Sequence, residues 1–239
     1  MLLYIHAECI NEIESEVTTM PRNKHPEETV QKILDVSLKL FSEKGYEQVT
    51  VLDIVNNLGG LTRGAFYHHF KSKEEVFAAL SERLFQDNNP FGAVKGRDDL
   101  NGLEKLRMVF LYMTKVVGTE EGADYVAFQQ IGLSLLEQPR FLAEHIKSNN
   151  EMAQRFAPLI EEGMKDGSIR PRNAKLLAEL ILLLFNLWMF PKLFPMDAGE
   201  FEEKAEMIAE MLDALGCPLM NEEFDEAGEA YAEILGIEE

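Results

Sequence analysis

Residues 49–77, VTVLDIVNNLGGLTRGAFYHHFKSKEEVF, restrict the fold more tightly than any other stretch of this chain. The hydroxyl of Thr50 can cap a helix, and Asp53 stands three residues on, the spacing of a capping box. The helix it opens is expected to carry Leu52, Val55 and Leu58 inward and to stop at Gly59–Gly60. Thr62 opens a third short helix that ends near Phe70. Ser72 and Glu75 repeat the capping spacing and open a fourth, through about Gln86. Two short helices joined by a glycine turn form a helix-turn-helix.

The flanking sequence extends this pattern. From about Glu27 to Lys44, Val30, Ile33, Leu34, Leu38 and Phe41 recur at the spacings of one helical face. Glu27–Glu28 suit the first turn of that helix and Gly45 its stop. Asp87–Asp99, rich in Asn, Gly and Pro, reads as a break. Beyond it, helices are predicted over 100–117, 123–136, 139–148, 150–166, 173–193, 199–215 and 221–235. No alternating strand pattern and no internal repeat occurs, so the fold class is all-α. The expected organisation is an acidic leader over 1–20, a three-helix helix-turn-helix domain over 21–86, and a larger helical domain over 98–239.

The net charge of −19 argues against nucleic acid only when averaged over the whole chain. Residues 21–90 hold 9 Lys/Arg against 10 Asp/Glu, whereas residues 91–239 hold 14 against 28. The acid therefore sits mainly in the C-terminal part, leaving the N-terminal segment near neutral. Cys9 and Cys217 lie far apart, which suits a reducing compartment and a cytoplasmic location. The most apolar stretch, Leu180–Phe190, is far shorter than the roughly 20 residues a membrane span needs, so no membrane partner is expected.

In a helix-turn-helix the second helix enters the major groove of double-stranded DNA. Thr62 and Arg63 stand at the N-terminus of that helix, where free amides and the helix dipole attract phosphate. Gly64 lets a DNA backbone approach, and Tyr67, one turn on, can donate to phosphate. His68, His69, Lys71 and Lys73 extend the donor set, and Thr50 is placed to contact phosphate from the preceding helix. Phe66, Phe70 and Phe77 are expected in the core. A phosphate-binding loop fails as an alternative: Gly59 and Gly64 match GxxxxG, but Ala65–Phe66 stand where Lys–Ser/Thr must follow.

These residues resemble the DNA-binding domain of the tetracycline-repressor (TetR) family of bacterial transcription regulators. That family's pattern T-V-x-D-I-A, A-G-V-S-x-G-x-x-Y-x-H-F and Ser/Asn-Lys-Glu-Glu is similar to Thr50–Val55, Gly60–Gly64 with Tyr67–Phe70, and Ser72–Glu75. Counted from Ile54, LGGL holds one residue more than the usual spacing before Thr62. Met20 and the residues after it resemble the usual beginning of such a protein, with Arg22, Lys24 and His25 as an arm that could touch DNA. The resemblance covers residues 27–80. It implies a homodimer built through the last two major helices, a palindromic operator, and a small-molecule effector that changes the spacing of two reading heads.

In the C-terminal part, the helix around 173–193 is apolar nearly all round, with Leu180 and Leu184 in it. In the next, Phe201, Ala205, Ile208, Leu212 and Leu215 form a seam. Both helices are expected in a dimer interface, with intramolecular core as the alternative. Tyr112, Met113, Phe128, Met152, Phe156, Phe185 and Trp188 supply surface for an apolar effector, and Tyr112, Phe128 and Trp188 are the candidate ligand contacts. His145 reads as a surface or packing residue with no second ligand at metal spacing, so neither metal nor cofactor is expected.

The function these readings converge on is a DNA-binding transcription regulator, a homodimeric repressor released from its operator by a small, apolar effector. The alternative is a helical small-molecule-binding protein or enzyme with a vestigial motif. Against it, the chain lacks G-x-S-x-G, GxGxxG and metal spacings, so an enzyme is not expected. A third class is an interaction adaptor using the acidic helix 221–235.

Overall fold

The computed structural model describes residues 26–115, 123–170 and 173–237. The readings made for residues 1–20 and for the arm Arg22, Lys24 and His25 fall outside these residues. Among the described residues the regular structure is helical throughout: α1 (Pro26–Lys44), α2 (Val51–Asn57), α3 (Arg63–His69), α4 (Lys73–Asp87), α5 (Gly102–Lys115), α6 (Ala123–Leu135), α7 (Pro139–Asp166), α8 (Ala174–Leu183), α9 (Ala198–Ala214) and α10 (Glu222–Leu235). The chain divides into two compact units at the end of α4, between Gln86 and Asp87.

The N-terminal unit is held by aromatic packing. Ile33, Leu34, Leu38 and Phe41 line the inner face of α1, as their spacing predicts. Gly45 ends that helix and a single 3-10 turn, Tyr46–Gln48, turns the Tyr46 ring inward. The rings of Phe41, Tyr46 and Phe77 meet at centroid separations of 5.0, 5.3 and 6.3 Å. Burying each such ring contributes about 1.5–3 kcal/mol. Arg83 of α4 clamps α1 from the side, donating to Gln31 Oε1 at 3.0 Å and Asp35 Oδ1 at 2.5 Å.

In the C-terminal unit α7 is the spine, packed chiefly against α8 and α5. The N-terminus of α5 docks on the C-terminal turn of α7, where Asp166 Oδ2 accepts from Gly102 N at 2.7 Å and Ser168 Oγ accepts from Leu103 N at 3.2 Å. The approach is so close that a Cβ on Gly102 would lie 2.0 Å from Gly163 N. Farther along, Arg107 donates from Nη2 to Pro218 O and from Nε to Leu219 O, at 2.5 and 3.0 Å. This strap ties the chain between α9 and α10 to α5, with Cys217 fully buried beneath it.

Three expectations need correction. The helices predicted over 139–148 and 150–166 are one continuous helix, α7. Asn149, the one position left between them, is instead buried, and its Oδ1 accepts from Asn186 Nδ2 at 2.7 Å. The helix predicted over 173–193 is α-helical only to Leu183, continues as a π turn over Leu184–Trp188 and stops before Pro191. A residue preceding proline is disfavoured in the helical region. In α2 the inward residues are Ile54, Val55 and Leu58, while Leu52 is 55% exposed. His145, expected at the surface or in packing, is also buried, 2% exposed, with Nε2 3.3 Å from Asn186 O.

Two consequences are measurable. Gly102→Ala must push the α5 and α7 backbones apart, so chemical denaturation should show a loss of about 1–3 kcal/mol. Burial pushes the His145 imidazole down to about 4 from its ordinary 6.5. Between those pH values the unfolded chain binds a proton that the folded chain refuses. Stability is therefore full above about pH 6.5 and falls as pH drops toward 4, by up to about 1.4 kcal/mol per pH unit from this group. The difference between wild type and His145→Gln in denaturation midpoints should follow that slope.

Candidate nucleic-acid interface

α2, the glycine turn and α3 build one presenting surface in the N-terminal unit. Thr50 caps α2 through the full box: its Oγ accepts from Asp53 N at 3.1 Å, and Asp53 Oδ2 accepts from Thr50 N at 2.8 Å. The Thr50 hydroxyl also donates to the same carboxylate at 2.5 Å, which holds the Asp53 carboxyl below its ordinary value. That hydroxyl proton is thus already engaged, so Thr50 presents an exposed cap with backbone amides behind it. The turn closes with Gly59 and Gly60 at φ +62° and +102°, a left-handed pair that side chains resist by about 1–2 kcal/mol each.

Thr62 caps α3, accepting from Ala65 N at 3.2 Å. Phe66, at 0% exposure, and Phe70 anchor the other side of this helix in the core, as expected, together with Phe77. With that side fixed, Arg63, Gly64, Tyr67 and His68 are turned outward. The Arg63 guanidinium carbon lies 5.4 Å from the centre of the Tyr67 ring, so the two side chains support one another. A Cβ on Gly64 would meet only Thr62 Oγ, at 3.8 Å. Nothing inside the protein therefore demands glycine at position 64.

Two of the predicted donors have other work. The Lys73 ammonium donates to Tyr46 O at 2.9 Å and Glu47 O at 3.3 Å and sits 4.3 Å from the centre of the Tyr46 ring. It is a strut between α4 and the 3-10 turn, a structural role that its sequence reading as a phosphate contact did not include. His69 is half-buried, and burial together with the neighbouring His68 lowers its pKa. The neutral imidazole this favours lies edge-on to His68 at 5.1 Å. Lys71 is exposed. Sequence spacing alone could not separate Lys71 from Lys73, because the carbonyls that capture Lys73 lie 26 and 27 residues away.

The C-terminal candidates are rearranged as well. Phe201, Ile208, Leu212 and Leu184, assigned to a dimer interface, are 7%, 0%, 0% and 8% exposed and belong to the unit's own core. Leu180 and Leu215 are partly covered. The apolar residues left outside lie on other faces: Leu176 and Leu183 on α8, at 58% and 44%, and Met207 and Met211 on α9, at 51% and 40%. A cavity of about 980 Å3 opens between α9 and α10, lined in part by Phe110, Phe185, Phe201 and Phe224. None of Tyr112, Phe128 and Trp188 lines it; Phe128 is fully buried, and Trp188 is covered by Lys204, whose Nζ donates to Trp188 O at 3.2 Å. Met113 lies outside the described side chains. Among the described residues no cluster of His, Cys, Asp or Glu could hold a metal, and no helix is long and apolar enough to cross a membrane.

Comparison with known proteins agrees with this geometry. The family model described as "Bacterial regulatory proteins, tetR family" matches residues 33–80, which span the inner half of α1 through the middle of α4. The HTH-type transcriptional repressor KstR2 of Mycobacterium tuberculosis strain H37Rv is 30% identical over 145 residues, covering 59% of this chain and 68% of that protein. The HTH-type transcriptional regulator AcrR of Shigella flexneri is 35% identical over 97 residues, covering 40% and 44%. A crystal structure of a TetR-family transcriptional regulator from Syntrophomonas wolfei superposes with a TM-score of 0.58 at 22% identity, covering 81% of this chain and 97% of that one.

Substitutions separate contact from scaffold here. Gly64→Ala should leave stability unchanged or raise it by up to about 1 kcal/mol, from helix propensity, while weakening DNA binding. Arg63→Ala should reduce the slope of log affinity against log salt by about one. Lys73→Met should lower the denaturation midpoint and leave that slope unchanged.

Proposed function

This chain belongs to the TetR family of bacterial regulatory proteins and is a DNA-binding transcription regulator; from that premise we propose that it is a cytoplasmic homodimeric repressor, released from a palindromic operator by a small-molecule effector. The observation that carries the DNA half of this reading is α3 itself. Its buried side is fixed by Phe66 and Phe70, and its outward side offers Arg63, Gly64, Tyr67 and His68. Arg63 and Tyr67 suit phosphate and base-edge contacts, and the exposed caps Thr50 and Thr62 flank them. Residues 21–86 act as the reading head and residues 98–239 as the body that pairs and senses.

The homodimer is supported by the apolar side chains that α8 and α9 leave in solvent. Leu176, Leu183, Met207 and Met211 suit a self-complementary contact between copies. A two-fold dimer presents two copies of α3 to half-sites one helical turn, about 34 Å, or a multiple of it apart. The body's acidic charge repels phosphate and so opposes non-specific wrapping of DNA.

The direct test is electrophoretic retardation of DNA from upstream of the protein's own gene. Wild type should bind with steep salt dependence, and Arg63→Ala and Tyr67→Phe should both weaken binding. Unchanged binding in both variants would sink the assignment of α3. For the dimer, Leu183→Glu and Met207→Glu each place two charges in the contact. Sedimentation should show dissociation at least tenfold easier than in wild type, about 1.4 kcal/mol or more. A wild-type protein that sediments as a monomer overturns the dimer.

A further inference from the structure

We propose that the cavity between α9 and α10 binds an organic cation, a protonated amine carried on an apolar body. As a binding site it stands on its own lining; as the effector site it rests on the repressor reading above. At about 980 Å3 the space is at the upper end of what small-molecule sites use. Its inner wall is aromatic. Phe110, Phe201 and Phe224 are buried, and Phe185 and Tyr231 complete the ring surface. Aromatic faces attract cations through their quadrupoles, most strongly where water is excluded.

The rim supplies the matching charge. Glu202 and Glu206 stand one turn apart on α9, and Glu222 and Asp225 one turn apart on α10. All four are exposed, and none has an ion-pair partner among the described residues. Among the described residues, no Lys, Arg or His lines the cavity. The one basic residue of α9, Lys204, is turned elsewhere, donating to Trp188 O with its Nζ 5.5 Å from the centres of the Trp188 and Phe194 rings. Like charges one turn apart repel, so this rim carries an electrostatic cost that a positive guest removes and an anionic guest increases. Asn221 also borders the cavity, and its Oδ1, buried within the wall, has no hydrogen-bond partner. Rings alone would suit any apolar guest; rings bordered by four carboxylates without ion-pair partners among the described residues select a protonated amine.

The test titrates the full chain by calorimetry with three probes of one shape: naphthylethylamine, protonated at pH 7, uncharged naphthylethanol and anionic naphthylacetate. The amine should bind about tenfold or more tighter than the alcohol, and the acetate should not bind. Glu202→Gln/Glu206→Gln, which keeps side-chain size, should bring the amine down to the affinity of the alcohol and leave the alcohol unchanged. Ala205→Trp, checked for folding by circular dichroism, should abolish binding of both. Equal binding of amine and alcohol by the wild type overturns the proposal, as does undiminished amine binding in Glu202→Gln/Glu206→Gln or amine binding that survives Ala205→Trp, the last marking adsorption to the acidic surface. Retardation assays with added amine then separate the two readings. Altered operator affinity supports the effector role; tight amine binding with unaltered operator affinity upholds the cation site and overturns the effector role alone.

Discussion

The packing of Tyr46 between Phe41 and Phe77 is the contact on which the reading surface depends. A seven-residue helix such as α3 has almost no stability of its own, because nucleation is costly and few backbone bonds repay it. It persists because Phe66 and Phe70 are buried in the same unit whose core holds the three rings, and because Lys73 pins the 3-10 turn to α4. The outward direction of Arg63 and Tyr67 is therefore a property of buried hydrophobic contacts on the far side of the helix. Affinity for DNA is set at the surface, but the geometry of that surface is set from within.

Local signals were legible in the sequence and non-local ones were not. Thr50 with Asp53 and Thr62 before α3 fix helix starts through partners three residues away, and the structure has those bonds. Leu52 was misplaced because a helix of seven residues spans about two turns, too few to fix the phase of its apolar face. Asn149 looked like a break because its partner, Asn186, lies 37 positions on. The apolar seam of α9 was real, but spacing cannot say whether Ile208 and Leu212 meet their own chain or another copy. Burial answers that, and it transfers the candidate contact to Met207 and Met211.

The charge division has a structural counterpart. The body concentrates carboxylates on α9 and α10, where helix-forming Glu costs little and keeps the surface soluble. Most of those side chains face water and need no further explanation. The four at the cavity differ because they border buried rings, where a counter-charge is worth more than it is in open solvent.

The π turn in α8 sets a limit on how far that helix can act as a contact edge. A π turn adds one residue to a helical turn, which rotates everything after it by about 100° around the axis. Leu176, Leu180 and Leu183 recur at four and three before the turn and so share one stripe. After Leu183 the phase is reset, Asn186 is carried inward and the stripe does not continue in line. A straight helix laid along α8 thus finds a matching edge only over its ten α-helical residues, roughly 15 Å. The length of the contact is written into the helix as a change of phase.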